Sequence, residues 1–132
     1  MFPARVAVGE RGILNKDTLA YLFFGVFGCS RDTLDAARPL IEERYGPIDS
    51  QGISEVFDFP DAASYKASMG TGLSRQFFVC EKRVEQDCLV AVKHSAIEME
   101  SSITKQSPAE VERPVNIDPG IINDCRIILA ST

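Results

Sequence analysis

The chain has 132 residues, 45% of them hydrophobic and 25% charged, with a net charge of −5. That is one domain's worth of sequence, long enough to bury a core without a metal or disulfide staple. The acidity and the lack of any Lys/Arg cluster argue against nucleic acid, and no apolar run approaches the roughly 20 residues of a membrane span.

Residues 1–18 show no clear period. Phe2, Val6, Val8, Ile13 and Leu14 are scattered among charges and glycines. This reads as an irregular arm, with a short strand at 5–8, that packs on its own domain or on a neighbour through residues such as Phe2 and Val6. Residues 19–132 read as a single α+β domain. The run at 20–27 is continuously apolar, short, and followed by Gly28, which predicts a strand buried on both faces. Its sequence also has the look of a lipoprotein leader ending at Cys29. Glu10 and Asp17 upstream and bulky Phe27 just before the cysteine argue against that.

Ser30 or Asp32 caps a following helix that puts Leu34, Ala37, Ile41 and Tyr45 on one face, with Gly46-Pro47 ending it. Pro39 removes a hydrogen bond in mid-helix and predicts a bend near Asp35. Alternation at 52–59 predicts a second strand, 73–81 a third. Leu89, Val92, Ala96, Met99 and Ile103 fall on one stripe of a helix over 87–104. Two more strands are expected at 113–117 and 125–130. The order predicts a two-layer α+β sandwich: a mixed, mostly antiparallel sheet with both helices on one face, a ferredoxin-like core plus an extra strand.

Asp118 stands in an Asn-Ile-Asp-Pro-Gly run. Asp before Pro is extended, Pro sets the next φ, and Gly accepts a positive φ, so the triplet reads as a turn between strands. A rigid turn also orients a carboxylate, so a role for Asp118 as acid, base or ligand stays open. MGTGLSR at 69–75 is glycine-rich but lacks the Lys-Ser/Thr of a phosphate loop and precedes a strand. Arg75 within it suits an anion, because its planar fork matches carboxylate or phosphate. Cys29, before a helix, is either a small residue closing a strand or an activated thiol. The four cysteines form no C-x-x-C pair, and with a single histidine, His94, they imply no metal site. They read as reduced, mostly buried thiols of a cytoplasmic protein. His94 is expected in solvent. Val90 and Ile97 break the polar side of their helix, which points to contact with another chain.

ERYGPID, YKASMGTGLSRQFFVCEK, VNIDPG and ILAST together resemble a bacterial family known only as domain of unknown function 4416, over about residues 20–132. The resemblance implies a small α/β protein and supplies no activity and no cofactor. It marks Arg75, Lys93, Asn116 and Asp118, with Ser131 and Thr132 nearby, as a polar site. Ser68 stands where the family carries Glu, and Ala96 and Ile97 replace a Thr-Asn pair. The family continues beyond Ala-Ser-Thr, so the resemblance is to a divergent and shortened member. Two readings follow. In the first the chain is a non-catalytic module that binds another protein or a second copy of itself. In the second it is an enzyme or binder for a small anionic metabolite, held by Arg75 and Lys93 with Asp118 as acid or base.

Overall fold

A computed structural model of the chain describes residues 19–58, 69, 72–106 and 112–130. The 20–27 run forms the central strand β1 (Leu19–Gly28), buried at every position but Tyr21. The stretch that has the look of a lipoprotein leader is therefore the middle of the sheet. Ser30 then caps α1 (Arg31–Tyr45) through a capping box: its hydroxyl accepts the Thr33 N–H, and the Thr33 hydroxyl accepts the Ser30 N–H. Leu34, Ala37 and Ile41 are fully buried along one stripe, Leu34 and Ile41 each contributing about 1.5–3 kcal/mol by leaving water. The helix runs unbroken through Pro39, which lies on its exposed side, and closes when Gly46 donates its N–H to Glu42 O.

The expected strand at 52–59 is instead two short ones, β2 (Ile48–Ile53) and β3 (Phe57–Asp58), both paired with β4 (Ser74–Glu85). Ser54 makes the break. Its N–H donates to Phe77 O, its hydroxyl accepts the Phe77 N–H, and that hydroxyl donates to Glu55 O, so a side chain substitutes for ladder bonds. β4 runs past the expected end at 81, because Val84 is buried opposite Ala20 while Lys82 and Arg83 stay in solvent. A single 3-10 turn (Gln86–Cys88) leads into α2 (Leu89–Gln106), which buries Val92, Ala96, Met99 and Ile103 as the stripe predicts. Arg44 ties the two helices together, donating to Ser95 Oγ (2.7 Å) and Glu98 Oε1 (3.0 Å).

The expected turn at Asp118 is absent. Asp118, Pro119 and Gly120 all lie inside β5 (Val115–Ile122), buried and paired with β1. Two facts make a strand of this Asp-Pro-Gly. The Ile117 N–H and the Pro119 carbonyl both point to the outer edge of β5, where Glu100 and the Ala130 N–H meet them. The Pro119 ring nitrogen shares that direction, so its missing N–H removes nothing from the β1 ladder. Gly120 keeps an ordinary φ; it is glycine because an added Cβ would fall 2.3 Å from Phe23 Cζ and 2.6 Å from Ile128 O. The real turn comes later, at residues 123–126, where Asn123 Oδ1 accepts the N–H groups of Cys125 and Arg126. Cys125 is thus in an exposed turn, not a strand, and β6 is shortened to Ile127–Leu129.

The sheet order is β2-β4-β1-β5-β6, with β3 beside β4, and every pairing is antiparallel. Without β3 and β6 this is the ferredoxin-like split βαβ arrangement. Both helices share one core with Leu22, Phe24 and Val26 of β1 and Val115, Ile117 and Ile121 of β5. A second, smaller cluster of Phe27, Met69 and Leu73 contains Cys29 at its margin. The four cysteines are free: Cys80 is buried, Cys29 and Cys88 are half-buried, and Cys125 is exposed, so the thiols are less buried than expected.

Candidate functional site

The site is built by strand alternation. Ile117 and Val115 point into the helix-side core, so Asn116 and Asp118 point to the opposite face. Across β1 their partners are Phe27 and Gly25. Further across, on β4, Arg75 stands opposite Phe27 and Phe77 opposite Gly25. The Arg75 guanidinium is 4.9 Å from the Phe77 ring centre and 5.5 Å from that of Phe27, close enough for cation–π attraction to both. It leans over Gly25: a Cβ there would lie 3.0 Å from Arg75 Nη2 and 2.9 Å from Phe77 Cε1. The missing side chain leaves room for the guanidinium over Gly25, whose partner on β5 is Asp118.

Asp118 is gripped from the helix layer. Lys93 Nζ lies 3.0 Å from Asp118 Oδ1, with the two side chains only 15% and 4% exposed. Because α2 packs on the other face, the Lys93 chain passes the edge of β5 to reach it. Glu100, two turns further along α2 and on the same side, accepts the Ile117 N–H at 2.7 Å. Burial pushes the Glu100 carboxyl up from the usual range and Asp118 adds to the rise, against the Ile117 N–H bond and the Lys93 and Arg113 charges. Arg113 Nη2 donates to Asn116 Oδ1 at 2.7 Å. Asn116 is 1% exposed, and its Nδ2 has no hydrogen-bond partner among the described residues.

Of the four polar residues singled out from sequence, Arg75, Asn116 and Asp118 lie on one face of the sheet by register, and Lys93 meets Asp118. Gly25, Glu100 and Arg113 belong with them and were not singled out. For Glu100 a signal existed, since it lies seven residues after Lys93 on one helix. Gly25 and Arg113 carry no local signal, because their roles depend on pairing across the sheet. Ser68, Ser131, Thr132, Phe2 and Val6 lie outside the described residues. His94, Val90 and Ile97 are exposed, as expected. Among the described residues Arg75, Lys93 and Arg113 stand here with Glu100 and Asp118, three cations to two carboxylates. A region with that balance and an unused buried amide donor can hold a compact anion.

The model of the family described as domain of unknown function (DUF4416) matches residues 18–132. The chain belongs to this family. The match runs from the start of β1 through every described element, so Arg75, Lys93, Asn116 and Asp118 all fall within the family domain. A comparison with curated proteins finds no match.

Proposed function

We propose that this member of the family binds a small anionic molecule on the outer face of its sheet, through Arg75, Asn116, Lys93 and Asp118. The observation that carries this is the Asn116 amide: a fully buried Nδ2 with no partner among the described residues, on the same face as a guanidinium pinned between two rings. A buried donor left unmade costs about 1–3 kcal/mol, a cost that a ligand oxygen removes. Arg75, over Gly25 on the same face, adds positive charge that favours an anion. Lys93 already holds Asp118, so the arrangement suits binding better than proton transfer; Asp118 serves as acid or base only if Lys93 releases it.

The test is a titration of the isotope-labelled protein with inorganic phosphate, acetate and succinate, read from the Asn116 side-chain amide signals. Those signals shift with at least one anion at millimolar concentration, and Asn116→Ala abolishes the response. Silence toward all three overturns the reading.

A second reading is favoured by the β5–β6 hairpin. Ile122, Ile127, Ile128 and Leu129 are exposed there, and β6 is the last strand of the sheet among the described residues. An exposed edge is an invitation to pairing. We propose a second copy of the chain as the occupant, joined antiparallel along β6, with Val90 and Ile97 of α2 as further apolar contacts. Light scattering across a concentration series tests it; a strict monomer at high concentration removes it. Among the described residues no helix is long and apolar enough to cross a membrane, and four free thiols fit a reducing compartment. The free thiols support the cytoplasm as the compartment we propose.

A further inference from the structure

We propose that Glu100 is the positioning residue of this site: by accepting the Ile117 N–H it fixes the segment of β5 that presents Asn116 on one side and Asp118 on the other. The inference rests on the anion-binding reading for its purpose, and on the geometry of β5 for its mechanism. Among the described residues β6 pairs with β5 from Gly120 onward, and the Ala130 N–H donates to Pro119 O beside that pairing. Among the described residues, the stretch of β5 upstream of Pro119 that carries both polar side chains has a strand partner only in β1. On the side of β5 away from β1, Glu100 accepts the Ile117 N–H at 2.7 Å. Lys93, from the same face of α2, holds the Asp118 carboxylate at 3.0 Å. One helix thus grips β5 by a backbone N–H and by a side chain one residue apart. If Ile117 swings outward, Asn116 and Asp118 turn with it, because neighbouring residues of a strand share one backbone twist.

The grip depends on charge. An ionised carboxylate accepts an N–H more strongly than the neutral acid. The groups that face Glu100 are Lys93 on its own helix, and Arg113 and Asp118 from β5 and its approach. Two cations favour the ionised form; burial and Asp118 oppose it. Acidification therefore loosens Ile117 first and the two flanking side chains with it.

The experiment is NMR on the ligand-free full chain, comparing wild type with Glu100→Gln and Glu100→Ala. In Glu100→Ala the Ile117 amide exchanges with solvent about tenfold faster or more, the Val26 amide of the β1 ladder is unchanged, and the Asn116 side-chain and Asp118 carboxyl signals move. Glu100→Gln, which keeps an acceptor oxygen, restores Ile117 protection but loses the titration that the wild-type Ile117 amide shows above the usual Glu range. Unchanged Ile117 exchange in Glu100→Ala overturns the proposal. So does faster exchange with unmoved Asn116 and Asp118 signals, since Glu100 then only seals an edge. If Glu100→Ala does not fold, the Ile117 titration in wild type and its loss in Glu100→Gln decide the matter alone. A wild type that ignores all three anions overturns the binding reading and leaves these outcomes to stand or fall separately.

Discussion

Lys93 and Asp118, one from the helix layer and one from the far face of the sheet, meet at 3.0 Å around the edge of β5. Both are nearly buried, so each is the other's main compensation for lost water. Removing one partner strands the other charge and costs about 3–5 kcal/mol, whereas replacing both by apolar residues of similar size costs much less. Lys93→Met and Asp118→Leu should each lower the urea midpoint sharply, and the double variant should recover most of the loss. Additive losses in the double variant would show that the two side chains do not compensate each other.

Gly25→Ala tests the path of Arg75. The new methyl meets the Phe77 ring and the guanidinium at 2.9 and 3.0 Å. Both are side chains, so they yield, at a cost of about 1–3 kcal/mol. The expected result is a folded protein whose anion-induced shifts at Asn116 are weakened. Full retention of those shifts would remove Arg75 from the site.

The thiols should separate by reactivity. Burial pushes Cys80 up to about 12 from an ordinary 9.0, with the nearby Glu42 charge adding to it, so it has almost no thiolate at pH 8. Cys125 is exposed. Mass analysis after brief alkylation at pH 8 should find Cys125 modified and Cys80 untouched until urea unfolds the chain. Because the folded-state value lies above the unfolded one, Cys80 adds stability that is intact below pH 9 and drains away between 9 and 12.

Much of this layout is legible in the residues. The β1 run, the α1 cap and the α2 stripe are local patterns, and each forms where its periodicity indicates. Of the polar residues singled out, Lys93 and Asp118 meet, while Arg75 and Asn116 share the face of Asp118 by register. What is illegible is long-range. Asp118-Pro119-Gly120 satisfies every local rule for a turn, yet it is a strand because Phe23 fills the space beside Gly120 and because the Pro119 nitrogen faces the outer edge. Neither cause is near in sequence. Ser54 likewise splits a strand by bonding to Phe77, 23 residues away.

Glu100 makes stability depend on pH in a definite direction. Its folded-state value is raised above the ordinary 4.5, so it stabilises the fold while protonated in both states. That contribution is lost as pH rises from about 4.5 through the raised value. Denaturation midpoints for Glu100→Gln should gain on wild type over that window and run parallel to it on either side. A gain of the opposite sign would mean that the Ile117 bond and the Lys93 and Arg113 charges outweigh burial.

The position of β1 bears on how the chain is made. It leaves the ribosome before any other described element, but Leu19 waits for Glu85, and Tyr21 waits for Arg83 and then for Ile122. Pairings so distant along the chain close slowly and late. Until then the stickiest ten residues of the protein have neither of their flanking strands, so the newborn chain is most prone to clump, and most in need of a chaperone, before β5 is synthesised.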